Sequence, residues 1–310
     1  MPGSRLRLRL PVVLATLGVL AVAGWFGVGW IAADRLTFPE RHLDPSITPA
    51  TFGATFQDAM FSAADGVEIT GWFLPVDGSD AGVVLVHGRN SSRTREFGGR
   101  FPELAATLQA NGYQVVMFDL RGHGASGDAR FTFGRNERLD VGAAITYLVA
   151  QGVPPGQVGV LGVSMGAASA VGAVAVDPRV GALWADAGYA EIASIIEAEW
   201  PSASGLPAVF WHAARLAHRE RFGFDLAGSR PADELPRVAP RPIQLVHGTA
   251  DLLIPYDHAL RLRAAEPSAG LWTLEGVGHA DAYEAQPDEY ARRVVEFFDA
   301  ALRVRVASAR

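Results

Sequence analysis

The sequence predicts a doubly wound α/β sheet, and two observations carry that prediction. Short, almost wholly apolar runs recur at 82–86, 114–118, 158–163, 180–185, 243–246 and 271–274, and stretches of helical periodicity separate most of them. Continuous rather than alternating apolarity marks strands buried on both faces. Such strands interleaved with helices build a mostly parallel sheet covered on both sides.

The chain begins with Arg5, Arg7 and Arg9, followed by an uncharged apolar run from Leu10 to Ala33. At about 1.5 Å per residue this run is roughly 30 Å or more long, enough to cross a bilayer core. Positive charge ahead of it predicts a cytoplasmic N-terminus and an extracytoplasmic remainder held at the cell membrane. Ala21-Val22-Ala23 also offers the small-x-small pattern of a signal-peptide cleavage site, which would give a secreted protein instead. The run continues through Gly24-Trp25-Phe26 to Ala33, which favours an anchor with Trp25 and Trp30 near the outer headgroups. Residues 1–35 are therefore assigned to the anchor or signal peptide, and the Pro-interrupted stretch 36–53 to a linker.

A hairpin follows: runs 56–63 and 67–74 flank Asp65-Gly66, a dipeptide that tolerates positive φ at both central turn positions. Helices are expected at 103–111, 138–151, 166–176, 257–265 and 287–302. In the last of these Tyr290, Val294, Phe297, Phe298 and Leu302 share a stripe. Only the interval 188–240 breaks the alternation. At about fifty residues it is too long for an ordinary loop. Ile192, Ile195, Ile196 and Trp200 keep helical spacing there, and 207–217 reads as a second helix, so a helical cap is expected between core segments 54–187 and 241–304.

Composition narrows the chemistry. A chain of 310 residues with 49% apolar content can bury a large core. A net charge of -6 and a low charged fraction argue against nucleic-acid binding. Cys 0 removes thiol nucleophiles, Cys-ligated zinc, iron–sulfur clusters and disulfides. All 27 basic residues are Arg, which removes Schiff-base chemistry, a Ser–Lys dyad and a phosphate-loop lysine. No metal or organic cofactor is expected.

Against that background Gly162-Val163-Ser164-Met165-Gly166 stands out. In a chain with 34 Gly such a match arises easily by chance, so its context decides. It follows the apolar run 158–161 and precedes the small, helix-compatible run 167–176, which is the strand, turn and helix that a nucleophile elbow requires. Serine needs a neutral His to take its proton and an acid to orient that His. Asp251 lies just past the run 243–246, and His279 lies in the Gly-rich loop after the next run, so the order is Ser, Asp, His. Asp186, at the end of the strand before the insertion, competes for the acid role.

The other histidines fit a proton-transfer role less well. His258 belongs to the helix after Asp251, whereas His87 and His247 each precede a Gly at a strand end, where histidines organise turns. Two backbone N–H groups are needed to bind the oxyanion. Met165 is expected to supply one and Arg89, in the loop after 83–86, the other. The segment Gly122-His123-Gly124-Ala125-Ser126-Gly127 formally fits a dinucleotide fingerprint, yet no evident helix start follows it. Aromatic residues of the insertion, above all Trp200, Phe210 and Trp211, suit either an apolar substrate pocket or simple packing.

Taken together, His87-Gly88, Asp119-Leu120-Arg121-Gly122-His123-Gly124, the elbow at Ser164, His247-Gly248-Thr249-Ala250-Asp251 and Gly278-His279 resemble the α/β-hydrolase superfamily over about 54–303, in particular its exported esterase-like or lysophospholipase-like bacterial members. The resemblance implies an eight-stranded, mostly parallel sheet with the 188–240 insertion as cap, and a structural loop at 119–127. It also implies a small-molecule ester substrate, apolar or lipid-like, cleaved through a Ser–His–Asp triad. Peptidases, thioesterases and acyltransferases share the fold and remain alternatives, as does an inactive membrane-tethered binding protein.

Overall fold

The computed structural model describes residues 4–303, and the chain falls into two compact units. In chain order the helices are α1 (Ser4–Leu36), α2 (Phe101–Ala110), α3 (Glu137–Ala150), α4 (Met165–Val174), α5 (Ala193–Ser204), α6 (Val209–Phe222), α7 (Pro231–Glu234), α8 (Asp257–Ala265), α9 (Ala282–Ala285) and α10 (Pro287–Phe298). The strands are β1 (Gln57–Ser62), β2 (Glu68–Leu74), β3 (Gly82–Val86), β4 (Gln114–Phe118), β5 (Val158–Val163), β6 (Val180–Asp186), β7 (Ile243–Gly248) and β8 (Gly270–Leu274).

The larger unit, Phe38–Ile192 with Ser229–Arg310, is built on one eight-stranded sheet in the order β1-β2-β4-β3-β5-β6-β7-β8. β1 and β2 pair antiparallel at one edge, β2 is antiparallel to β4, and every other pairing is parallel. This is the mostly parallel α/β-hydrolase sheet that the sequence predicts. Every residue of β3, β4, β5 and β6 is buried, as continuous apolar runs require.

The pleat divides those runs between two layers. Val83, Leu85, Val115, Met117, Leu161 and Val163 join the buried faces of α2 and α10 in one core cluster. Their alternating neighbours Val84, Val116 and Val160 therefore face the opposite layer, where α3 and α4 pack against each other and the sheet. All ten residues of α4 are buried, which its Gly and Ala content permits, and the Ser169 hydroxyl is satisfied by donating to the Met165 carbonyl at 2.7 Å. Gly159 on β5 is needed for the other layer, since a Cβ there would lie 2.7 Å from Cδ1 of Phe298. Because β3 and β5–β8 run parallel, the loops that follow them emerge at one edge of the sheet. That edge carries every candidate site residue of this unit.

The smaller unit combines two segments distant in sequence, Met1–Thr37 and Ala193–Gly228. Within α1, Leu10–Ala32 forms 23 residues of helix long and apolar enough to cross a membrane. Every residue from Leu10 to Gly24 is exposed. Beyond it, α1 packs along α6: the Trp25 indole donates to the Val209 carbonyl at 2.9 Å, Arg221 pairs with Asp34 at 2.9 Å, and His218 Nε2 lies 3.3 Å from Thr37 Oγ1. Gly29 fits directly against Ala213, where a Cβ would lie 2.6 Å from the alanine Cβ. α6 ends at Gly223 in the left-handed conformation that closes many helices. The sequence treats anchor and insertion as separate parts; the structure makes them one unit, because the small residues that pair them carry no local pattern.

Candidate active site

The turn between β5 and α4 places Ser164. Its φ of 54° and ψ of -118° are strained for a non-glycine residue, and its N–H is held by the Asp186 carbonyl at 2.8 Å. Both elbow glycines are obligatory. A Cβ on Gly162 would collide with the Gly166 carbonyl, and one on Gly166 with the carbonyls of Val86 and His87. The chain must turn this tightly for the hydroxyl to stand clear of the backbone.

Ser164 Oγ lies 3.0 Å from His279 Nε2, and His279 Nδ1 lies 2.7 Å from Asp251 Oδ2. A carboxylate can only accept, so Nδ1 carries the proton and Nε2 is the acceptor for the serine hydroxyl. Asp251 is fixed in turn. Its Oδ1 accepts the N–H groups of Leu253 at 2.9 Å and Ile254 at 2.8 Å, and His247 Nε2 sits 3.3 Å from Oδ2. Burial would push the Asp251 carboxyl up, but the hydrogen bonds it accepts from His247, His279 and the Ile254 N–H outweigh it and hold the group well below the usual carboxylate range.

Asp186 sits elsewhere. Its carboxyl accepts from the Tyr290 hydroxyl at 2.8 Å, which itself accepts from the Trp184 indole at 3.0 Å. Full burial, only partly offset by Tyr290, raises Asp186 to about 7. Three further histidines are engaged in the backbone around the site. His87 links the Gly88 carbonyl at 2.7 Å to the Leu120 N–H at 2.9 Å, and burial lowers it to about 4. His123 links the Arg121 carbonyl and the Asn90 N–H, and burial lowers it to about 3. His258 accepts from the Ala190 N–H at 3.2 Å.

Met165 opens α4, so its N–H belongs to the first turn, which has no intrahelical acceptor. In the loop after β3, the Gly88 N–H donates to Glu96 Oε2 at 2.6 Å and the Asn90 N–H to His123 at 3.2 Å. These two anchors fix the backbone of Arg89 between them, while its guanidinium lies 5.8 Å from the centre of the Phe133 ring. Glu96 is the residue that sequence reasoning missed. It is a lone acid in a turn, with no motif to flag it, and its carboxyl is pushed up by burial against the pull of the Gly88 N–H.

The loop 119–127 is rigidified by buried ion pairs. Asp119 accepts from the Arg93 and Ala125 N–H groups, both at 2.9 Å, and pairs with the Arg93 guanidinium. Arg121 bridges Asp140 at 2.7 Å and Asp65 at 2.6 Å. The next helix begins only at Glu137, so the loop does not open directly into a helix N-terminus, as a pyrophosphate-binding turn does. Among the described residues, no three His, Asp or Glu side chains are grouped to hold a metal ion. Trp200 and Trp211 belong to the smaller unit. They are buried there, pack with ring centres 5.7 Å apart, and Trp200 donates to the Pro207 carbonyl; Phe210 beside them is half-buried.

Sheet order, elbow and downstream Asp and His define a class, and comparison with known families agrees. Residues 83–293 match the model of the alpha/beta hydrolase family, and the chain belongs to that family. It is 26% identical to the uncharacterized protein YfhR of Escherichia coli K12 over 306 residues, which cover 95% of this chain and 96% of that protein. It is also 27% identical to the uncharacterized protein Rv2307c of Mycobacterium tuberculosis H37Rv over 88% of each chain. Among solved structures, the Pyrococcus furiosus esterase Pf2001 superposes with a TM-score of 0.66 at 25% identity, covering 85% of this chain and 97% of that one.

Proposed function

We propose that the chain is a serine hydrolase that cleaves carboxylic esters through an acyl-enzyme, with Ser164 as nucleophile, His279 as general base and acid, and Asp251 as the orienting carboxylate. The observation that carries this reading is the unbroken line of hydrogen bonds from Ser164 Oγ through the His279 ring to Asp251. As Ser164 Oγ attacks the ester carbonyl, its proton passes to His279 Nε2, and Asp251 stabilises the imidazolium. The N–H groups of Met165 and Arg89 receive the oxyanion. His279 then returns the proton to the departing alkoxide. A water molecule deprotonated by the same ring attacks the acyl carbon, the bond to Ser164 Oγ breaks as His279 returns the proton to that oxygen, and the products are one acid and one alcohol.

Likeness to an esterase favours esters over amides. A thioester substrate also has support, since the chain is 31% identical over 129 residues to the thiohydrolase aneE of Aspergillus aculeatus, although this covers 41% of the chain and 39% of that protein. The apolar helix Leu10–Ala32 supports a membrane-anchored protein whose hydrolase part is extracytoplasmic. Fluorophosphonate labelling, run beside a panel of esters, thioesters and amides, tests the proposal. Wild-type protein should label and turn over esters fastest, and Ser164→Ala should do neither. Equal labelling of Ser164→Ala would remove the serine from the mechanism.

A further inference from the structure

The smaller unit presents a tip that no charge protects. From Trp200 to Trp211 the chain reads Trp-Pro-Ser-Ala-Ser-Gly-Leu-Pro-Ala-Val-Phe-Trp, without an acidic or basic residue, across the turn that joins α5 to α6. Most of it faces outward: Pro201, Ser202, Ala203, Gly205, Pro207 and Ala208 are exposed, and Val209 is 59% exposed. A water-facing helical hairpin ordinarily carries charge at such a turn.

Both serine hydroxyls, the Trp200 indole and several backbone N–H groups of the tip bond inward. Ser202 Oγ donates to the Glu199 carbonyl at 2.9 Å and Ser204 Oγ to the Trp200 carbonyl at 2.5 Å, while the Leu206 N–H donates to Ser204 Oγ at 3.1 Å and the Trp200 indole to the Pro207 carbonyl at 3.1 Å. The Gly205 N–H is taken by the Pro201 carbonyl and the Phe210 N–H by the Pro207 carbonyl. Internal satisfaction of this kind is what a backbone needs where water is absent.

Position supplies the medium. The tip is fastened to the outer part of α1 by the Trp25–Val209 hydrogen bond and by the Gly29–Ala213 contact, a small-residue approach typical of helix pairs in lipid. Val28, Ile31 and Ala32 of α1 line, with Ala203 and Leu206, an apolar crevice of about 320 Å³ to which Arg35 adds a cation. Trp25 lies seven residues before the end of the apolar span at Ala32, roughly 10 Å along the helix axis.

We propose that the Trp200–Trp211 tip is inserted into the outer leaflet of the bilayer alongside α1, so that phospholipid covers its exposed apolar face. The inference rests on reading Leu10–Ala32 as a membrane span. The depth expected for the tip, about 5–10 Å below the headgroups, is that of interfacial helices. Arg221, which pairs with Asp34 and stacks 5.2 Å from the centre of the Trp30 ring, then marks the headgroup level.

The absence of native cysteine makes the test direct. Single variants Ala203→Cys and Val209→Cys in the tip, with Asp77→Cys on an exposed turn of the larger unit as the aqueous reference, are made in the full chain. Each is nitroxide-labelled and reconstituted in phosphatidylcholine–phosphatidylglycerol vesicles. Collision with oxygen, which partitions into lipid, and with a water-soluble nickel chelate then reports depth. Both tip labels should show an oxygen-to-nickel accessibility ratio several-fold above that at Asp77→Cys. Nickel accessibility equal to the reference would overturn insertion by placing the tip in water, and low access to both reagents would overturn it by placing the tip against protein. No outcome depends on turnover, so failure here is distinct from failure of the proposed hydrolase activity.

Discussion

At Ser164 a positive φ, two neighbouring glycines that admit no Cβ, and a ring nitrogen at 3.0 Å converge on one hydroxyl. The two candidate acids differ in what burial does to them. Asp251 remains ionised because ring and backbone N–H groups surround it, whereas Asp186 has a single phenol and rises to about 7. Asp251→Asn should therefore lower kcat on an ester substrate by on the order of 10⁴-fold, as loss of the orienting carboxylate does in related triads. Asp186→Asn should leave kcat within a small factor, and the opposite ranking would transfer the acid role. Asp186 has a second signature. A carboxyl whose pKa is raised on folding binds more protons in the folded than in the unfolded state, so its contribution to stability falls as pH rises from about 4, the ordinary carboxylate value, towards 7. Asp186→Asn, which can still accept from Tyr290, should flatten that decline, seen as a Tm gain over wild type that grows between pH 4 and 7.

The layer between β5 and α10 shows what individual elements contribute. Phe298 is fully buried, lies against the space left by Gly159, and packs edge-on to Phe297. Phe298→Ala should cost about 3–5 kcal/mol, read as a fall in the denaturant midpoint at unchanged m-value. Elements of this kind were the easiest to find in the sequence, because buried parallel strands and an amphipathic C-terminal helix leave local periodicity. β3, β4, β5 and α8 have the bounds that the sequence predicts, and β6 runs one residue further, to Asp186. The site was legible to the extent that it follows chain order: Ser164, Asp251 and His279 each end or follow a strand. Glu96 was not legible, since its role depends on a fold that brings it back to Gly88. The assignment of Trp200 and Trp211 to a pocket or to packing could not be decided from spacing either, as both uses give the same helical period.

For the whole molecule, the feature hidden from the sequence is the pairing of α1 with α6. Small residues such as Gly29, Ala213 and Ala214 leave no periodic mark, yet they bring the helix ahead of the sheet and a helix inserted between β6 and β7 into one unit. If α1 is the proposed anchor, this pairing requires that it be retained. In a bacterial expression host the protein should stay with membranes after carbonate extraction at the mass of the uncleaved chain; a soluble species shortened at Ala23 would show that the span is removed. The pairing also orders events during synthesis. Trp25 leaves the ribosome 184 residues before Val209, the partner of its indole. At the usual 5–20 residues per second that interval lasts about 10–40 s. During it α1 has neither α5 nor α6 to pack against, and the smaller unit closes only after the strands from β1 to β6 have been made. Assembly of α1 with α6 is thus a late docking step. Until α6 has been made, Trp25, Gly29 and Asp34 of α1 lack the partners that hold them in the finished unit.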